Sequence, residues 1–181
     1  MHDQDPPMWD CRWPDPVALK VANDRIAHSL DSARPGINAA LEVMVELESA
    51  ARDDGLASAL LVTPWAIERV YWLGPGQINP PIQSAVPLEG DHSGRVAGGQ
   101  GALLETGSGT KPVIIGWEAE TGHHFVETII REVQNYLNSM DAMAAAKAVG
   151  STAPNPKIKK SMTTHLEKPV SRRGLFNMFR S

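Results

Sequence analysis

The sequence predicts an α+β fold, in which an antiparallel sheet of about four to five strands is flanked by an N-terminal and a C-terminal helix. Apolar and polar residues alternate over residues 40–48, and a nearly all-apolar run follows over residues 56–63. Apolar residues recur at helical spacing on both sides of this region. Because sheets and helices each bury an apolar face, these elements are expected to stack in layers around a core.

The first helix is predicted to begin at Pro16. Asp15 can cap it, and proline suits the first helical turn because no backbone donor is needed there. Arg34-Pro35-Gly36 ends the segment. Four prolines within residues 1–16 predict an irregular leader. The apolar residues at helical spacing are Leu19, Ala22, Ile26 and Leu30.

A β-hairpin is predicted for residues 40–63. Asp53-Asp54-Gly55 is a turn signal, and the apolar second strand is expected to be buried on both faces. In the first strand, alternate residues are expected to face the core: Leu41, Val43, Val45 and Leu47. The residues between them are expected to face water: Glu42, Met44, Glu46 and Glu48.

The later elements follow a glycine-rich stretch. Strands are predicted at residues 101–105 and 112–117. The C-terminal helix is predicted over residues 122–140, because apolar residues recur there at intervals of three and four. Thr121 is its expected cap, and residues 142–149 can extend it.

Charge divides the chain into an acidic body and a basic tail. The formal net charge is −4, yet residues 1–156 hold twenty acidic and ten basic residues, whereas residues 157–181 hold seven basic residues and one glutamate. An acidic body repels phosphate, so nucleic-acid binding by the body is not expected. The predicted organisation is an irregular leader (1–16), a single α+β domain (17–148) and a flexible basic tail (149–181).

Composition excludes several classes of protein. One cysteine in 181 residues rules out a disulfide framework within the chain and a cysteine-based zinc site. No apolar run is long enough to cross a membrane, so stable membrane insertion is not expected. The first residues lack the basic and apolar regions of a secretory signal, and the expected location is therefore the cytoplasm.

No catalytic constellation is recognisable, and we expect neither enzymatic activity nor a cofactor. A metal-binding or metal-delivery protein is one alternative, with His92, His123 and His124 as ligands. The histidine spacing does not support it, because adjacent histidines on a helix point about 100° apart. No metal site is therefore predicted.

Tryptophan and proline are concentrated in residues 63–82. Thr63-Pro64-Trp65 leaves the buried strand, and Trp72 and Pro75 follow. Tryptophan provides a large contact area at low entropic cost and proline stiffens a loop, so such a surface suits peptide binding. A core position is the alternative for both tryptophans; it is favoured for Trp72 and evenly balanced for Trp65.

The tail contains the pattern Ser171-Arg172-Arg173-Gly174-Leu175-Phe176. This local order is that of a twin-arginine export signal, but a true signal is N-terminal and carries a long apolar region. A docking segment is expected instead, in which arginines flank a small apolar anchor. A membrane-surface adaptor acting through this tail is a second alternative.

Two motifs and the order of elements are similar to those of a known family. An apolar strand runs into Val62-Thr63-Pro64-Trp65, and Leu73-Gly74-Pro75-Gly76 follows. Upstream, Ile37-Asn38-Ala39-Ala40-Leu41-Glu42-Val43 leads into the first strand, and the tail pattern occurs in several members. On these residues the chain resembles the HybE family of [NiFe]-hydrogenase assembly chaperones. It lacks the CxxC pairs of the rubredoxin module that some members carry, so no iron site follows.

The resemblance implies a non-enzymatic chaperone that holds hydrogenase large and small subunit precursors during cofactor insertion and shields the twin-arginine signal of the small subunit. An acidic body complements such a cationic, apolar peptide. We hypothesise that Trp65, Glu42, Glu46 and Glu48 form part of the binding surface. A second hypothesis is that residues 171–179 mimic the signal and occupy the same groove when no client is bound. Which subunit is the client stays open.

Overall fold

The computed structural model describes residues 6–49, 55–75 and 79–151. Neither helix in these ranges is both long and apolar enough to cross a membrane. The elements in the described ranges are α1 (Pro16–Ser29), β1 (Met44–Ser49), β2 (Leu56–Val62), β3 (Ile67–Leu73), β4 (Ile82–Gln83), β5 (Gly101–Thr106), β6 (Gly109–Glu118), β7 (Gly122–Ile130) and α2 (Ser139–Ser151).

The predicted α+β class is confirmed, with more strands than expected. Seven strands form one sheet in the order β1-β2-β3-β7-β6-β5-β4, and each neighbouring pair is antiparallel. Adjacent residues of a strand face opposite sides of a sheet. Ala59 and Leu61 of β2 pack with Leu19 of α1, whereas Leu60 packs with Met143 of α2. The two helices therefore lie on opposite faces of the sheet.

The predicted hairpin between the first two strands is present, but its first strand begins later than expected, at Met44. Leu41 and Val43 are buried ahead of β1, but Leu41 packs with α2 and Val43 packs with α1, so the single core-facing row predicted for residues 41–47 is wrong. Met44, predicted to face water, packs against the α2 cluster, and Leu47 is 43% exposed. The register with β2 shifts after Leu47. Leu47 itself still pairs with Ala59 in the regular register, so the bulge does not change the face of this side chain. Because β1 is an edge strand with a neighbouring strand on one side only, Leu47 stays partly open to solvent.

The helix predicted over residues 122–140 is wrong. Gly122–Ile130 forms β7, a central strand between β3 and β6. Phe125 packs into the core on one face, and Val126 packs into the core on the other. A strand buried on both faces carries adjacent apolar residues, and such pairs imitate helical spacing. Thr121 lies buried in the β6–β7 turn and caps no helix.

The C-terminal helix α2 instead begins at Ser139. Asn138 caps it, because its Oδ1 accepts a hydrogen bond from the backbone N–H of Asp141 and its Nδ2 donates to the Asp141 carboxylate. Residues 142–149, expected to extend an earlier helix, belong to α2 itself. Its buried residues pack beside β2 and β3: Ala142, Met143 and Ala146.

The described part of the leader packs on the same face of the sheet as α2. Trp9 and Cys11 contact the core cluster that includes residues of β3, β5, β6 and β7. Met8 exchanges backbone hydrogen bonds with residues 94 and 96. His123 Nδ1 accepts a hydrogen bond from the Asp10 backbone N–H at 2.7 Å, and its Nε2 lies 2.9 Å from the Val96 oxygen. The Trp9 ring meets the His123 ring edge-on, with centroids 5.0 Å apart. These contacts let an irregular segment cover part of the core.

Candidate partner-binding site

Thr63-Pro64-Trp65 forms, together with Ala66, the turn between β2 and β3. The Thr63 hydroxyl closes this turn, because Oγ1 accepts from the Ala66 N–H at 3.0 Å and donates to the Ala66 oxygen at 2.9 Å. Thr63 and Pro64 are buried, whereas Trp65 is half-buried. Thr63 therefore has a structural role, and Trp65 is the residue of this motif with side-chain surface open to a partner.

Asn38 ties this turn to two other segments. Its backbone N–H donates to the Pro64 oxygen at 2.7 Å. Its side-chain Nδ2 donates to the carbonyl oxygens of Val133 and Tyr136, each at 2.8 Å. One residue thus fixes the turn against the α1–β1 connection and the β7–α2 connection. This gives a structural reason for an asparagine in the stretch 37–43.

A cleft of about 460 Å³ opens between α1, the α1–β1 connection and the β2–β3 turn. It is called the α1 cleft below. Pro64 and Glu42, two of the predicted site residues, lie on its wall. Clefts of this size that combine apolar walls with a few polar groups are typical of binding sites. The apolar part of the wall includes Ala27, Leu30, Ile37, Ala39, Val43 and Pro64.

The charges around the α1 cleft are unbalanced. Lys20 Nζ lies 2.6 Å from Asp24 Oδ2, so these two charges compensate each other. The backbone of Glu42 is fixed, because its N–H donates to Ser139 Oγ at 2.7 Å and its C=O accepts from the same hydroxyl at 2.9 Å. Within the described residues the exposed Glu42 carboxylate has neither an ion pair nor a hydrogen bond. The cleft therefore presents one uncompensated negative charge on a fixed backbone.

Glu46 and Glu48 do not share this surface with Glu42. Both lie on β1 and face the α2 side of the sheet. Glu46 pairs with Lys147 of α2 at 2.8 Å. Glu48 accepts two hydrogen bonds from the Arg69 guanidinium, at 2.7 and 3.2 Å. These two acids are engaged within the fold.

A row of alternating charges crosses this face of the sheet from β1 to β6. After Glu48 and Arg69 comes Glu127, which lies 3.6 Å from Arg69 and 3.6 Å from Lys111. The Tyr71 hydroxyl donates to Glu127 at 2.7 Å. Burial and this hydrogen bond raise the pKa of Tyr71 above its usual range. We call these four ionic residues the charged row: Glu48, Arg69, Glu127 and Lys111.

Trp72 and Pro75 lie at the opposite end of β3 from the turn. The seven residues of β3 span about 23 Å. Trp72 is fully buried and packs with Leu19 of α1, in agreement with the core interpretation. Pro75 is exposed after β3. The structure therefore does not bring these two residues onto one surface with residues 63–65.

Trp13 is an accessible aromatic residue that sequence reasoning did not select. Its side chain is 66% exposed, and its ring packs over Gly74, where a Cβ would lie 3.3 Å from Trp13 Cζ3. Val17 and Val21 are also exposed, four residues apart on one face of α1. Trp13, Val17 and Val21 are apolar residues outside the positions predicted to face the core, and this was the signal for an exposed apolar surface. The prolines near Trp13 indicated only an irregular leader.

The histidines of the metal alternative do not converge. His123 and His124 are neighbours on a strand and point to opposite faces of the sheet. His123 is bonded to the leader, and His124 Nδ1 lies 3.1 Å from the Gly122 oxygen. Burial lowers the pKa of His124, while His92 is exposed in a loop. In the described ranges, no group of three or more His, Cys, Asp or Glu side chains could hold a metal ion.

A wider cleft of about 1260 Å³ lies between the leader and residues 86–96. Trp9, several prolines and the exposed Val86 line it. None of the predicted site residues contributes to its wall.

Some predicted residues lie outside the described ranges. They include Asp53 and Asp54 of the predicted turn and the five residues assigned to tail docking. Those five are Ser171, Arg172, Arg173, Leu175 and Phe176. Their docking role stays a prediction.

The fold is similar to that of a solved protein, HybE from Escherichia coli, whose structure was determined in solution. The likeness covers 81% of this chain and 80% of that chain, with a TM-score of 0.56 and 13% sequence identity. No family model and no curated protein matches the sequence. The likeness shows that this chain and HybE share a fold.

Proposed function

We propose that this protein is a non-enzymatic assembly chaperone of the HybE family, which binds [NiFe]-hydrogenase subunit precursors in the cytoplasm without a cofactor. The observation that carries the proposal is the likeness of fold to HybE over 81% of this chain and 80% of that one. The sequence resemblance in residues 62–76 supports the same family by a separate route. Shielding of a twin-arginine signal is the finer part of the proposal.

The proposed contact surface is the turn of residues 63–66 together with the α1 cleft. Trp65 supplies accessible aromatic area at the turn, and the wall of the cleft combines apolar residues with charged and polar ones. Glu42 adds a negative charge that has no partner among the described residues. This combination suits a segment that is both cationic and apolar, as a twin-arginine signal is. The excess of acidic residues in positions 1–156 attracts such a segment over a longer range.

The direct test is capture from the native host with a tagged full-length protein, followed by mass spectrometry. We expect precursors of the hydrogenase large or small subunit in the eluate. An eluate without hydrogenase proteins, from cells that express a hydrogenase, contradicts the proposal.

A pair of tryptophan variants locates the surface. Trp65→Ala should reduce capture about tenfold, because interface tryptophans carry much of the binding energy. Trp13→Ala is the matched control at the other end of β3 and should leave capture unchanged. Thermal unfolding of both variants checks that they are folded. Loss of capture only with Trp13→Ala would place the surface at the leader end instead.

The tail is proposed to compete with a client's signal for the same surface. Residues 171–176 follow the order of a twin-arginine signal, and the surrounding tail is basic. Deletion of residues 157–181 should therefore tighten the binding of a signal peptide. Unchanged or weaker binding contradicts this competition.

The two alternative functions predict different results. A metal-delivery protein retains nickel or zinc through dialysis, and a membrane adaptor binds liposomes only while residues 157–181 are present. The chaperone proposal expects neither result, so both experiments separate it from the alternatives.

A further inference from the structure

We propose that the α1 cleft binds one arginine side chain of an extended segment of the partner, with Glu42 as the carboxylate that receives the guanidinium. The inference rests on the proposed function, because it assigns a binding chemistry to the same site. Three properties of the cleft carry it, namely its lining, its charge and the rigidity of its wall.

The lining suits a long side chain with an apolar stem and a charged end. Ala27, Leu30 and Ile37 offer apolar surface along the wall, and Glu42 lies on the same wall. Arginine buries its methylene groups against apolar surface while its head remains at a polar position. A volume of about 460 Å³ accommodates one such side chain together with water.

The charge of the cleft selects a cation. Lys20 and Asp24 compensate each other at 2.6 Å, which leaves Glu42 as the uncompensated carboxylate among the described residues of the wall. A guanidinium forms two parallel hydrogen bonds to a carboxylate and is more weakly hydrated than an ammonium group. Arginine is therefore favoured over lysine at this position.

The wall of the cleft is fixed before any partner binds. Ser139 exchanges two hydrogen bonds with the backbone of Glu42, and Asn38 holds the Pro64 carbonyl at 2.7 Å. A preorganised receptor loses less conformational entropy on binding. The neighbouring acids are not equivalent, because Glu46 and Glu48 are already paired with Lys147 and Arg69.

Fluorescence anisotropy with a labelled peptide tests the inference on the full chain. The probe is acetyl-Gly-Arg-Arg-Gly-Leu-Phe-amide, and a second probe carries lysine in place of both arginines. Glu42→Gln should weaken binding of the arginine probe about tenfold. Glu46→Gln changes the net charge equally but lies outside the cleft, and should change the affinity less than twofold. The lysine probe should bind the wild-type protein at least threefold more weakly than the arginine probe.

A second variant removes the cleft instead of the charge. Ala39 is exposed on the wall, so Ala39→Trp should fill the cleft without disturbing the core and weaken binding by a similar factor. Thermal unfolding of each variant checks that the fold is retained.

Several outcomes overturn the inference. They are equal effects of Glu42→Gln and Glu46→Gln, unchanged binding by Ala39→Trp, equal affinity for the two probes, or no binding of the arginine probe by either the wild-type protein or a variant without residues 157–181, in which the tail cannot compete. Failure of the inference and failure of the proposed function are distinguishable. Hydrogenase precursors captured equally by wild type and Glu42→Gln overturn the inference alone. Glu42-dependent arginine binding without hydrogenase capture supports the inference and overturns the function.

Discussion

Acidic side chains near β1 behave differently on the two faces of the sheet. On the α2 side, Glu48 accepts two hydrogen bonds from Arg69, and the charged row continues through Glu127 to Lys111. On the α1 side, Glu42 has a fixed backbone, and its carboxylate at the cleft has no ion pair or hydrogen bond within the described ranges. The first arrangement stabilises the sheet, whereas the second leaves a charge available to a partner. Substitutions in the two regions should therefore separate stability from binding.

The largest expected effect is on the charged row. Arg69→Met removes the cation between Glu48 and Glu127 and leaves both partly buried carboxylates without their shared partner. We expect the free energy of unfolding to fall by about 3 kcal/mol. Urea denaturation at pH 7.5 measures it, and affinity for the arginine probe should be unchanged at temperatures where the variant is folded. A loss below about 1 kcal/mol would mean that the row contributes little.

Asn38→Ala should affect both stability and binding. It removes three side-chain hydrogen bonds, two donated to Val133 and Tyr136 and one accepted from the Ala40 N–H, while the backbone bond to Pro64 can persist. The two carbonyls lose a buried donor, so we expect a loss of about 2 kcal/mol in urea denaturation. Binding of the arginine probe should weaken because one wall of the α1 cleft is released. The exposed Asn135→Ala is the control, and an equal effect there would contradict this role of Asn38.

Glu68 is a third kind of acidic residue. It is partly buried, and its carboxylate has no ion pair or hydrogen bond among the described residues. Burial raises the pKa of Glu68 to about 6 from an ordinary value of 4.5. Ionised Glu68 therefore destabilises the fold above pH 6, and this penalty disappears as the pH falls toward 4.5. Glu68→Gln should raise the free energy of unfolding by about 1–2 kcal/mol at pH 7.5 and not at pH 4.5.

Urea denaturation of wild type and Glu68→Gln at both pH values measures this difference. Burial also lowers the pKa of His124, but that group is present in both proteins and cancels in the comparison. The exposed Glu132→Gln is the matched control and should show no such pH dependence. A gain that is the same at both pH values would contradict the assignment to Glu68 ionisation.

The smallest expected effects concern stability at β1. Glu46→Gln breaks a half-exposed ion pair with Lys147 and should cost at most about 0.5 kcal/mol. Glu42→Gln should leave the free energy of unfolding unchanged, because this carboxylate makes no ion pair or hydrogen bond with the part of the chain that the structure describes. A clear loss of stability with Glu42→Gln, measured by thermal unfolding, would place Glu42 with the structural acids.

The hairpin of β1 and β2 was predictable because alternating and fully apolar strands have distinct patterns. β7 was not, because a central strand buried on both faces shows the same apolar spacing as an amphipathic helix. The β-branched residues Val126, Thr128, Ile129 and Ile130 were the signal that favoured a strand. The start of α2 was missed for the same reason. The predicted helix ran through residue 138, so Asn138 was not recognised as the cap of a later helix.

The candidate site was predictable only in part. Pro64 and Glu42 were selected from the sequence, and the structure places both on one cleft. The sequence did not predict that Trp72 and Pro75 lie far from Trp65. This distance arises because β3 runs straight from the turn that holds Trp65 to the other end of the sheet. Arg69 and Lys147 pair with Glu48 and Glu46, whereas Glu42 has no ion pair among the described residues. Such long-range pairing leaves no local trace in the sequence.

The most direct test of the account is photo-crosslinking in the native host. A benzoylphenylalanine replaces the exposed Ala40, which lies beside the α1 cleft but not on its wall, in one full-length protein, and Val86 on the wider cleft in another. Crosslinks are identified by mass spectrometry in cells that express a hydrogenase. We expect crosslinks to a hydrogenase subunit precursor from position 40 and none from position 86. Crosslinks from position 86 alone, or hydrogenase crosslinks from neither position, would contradict it.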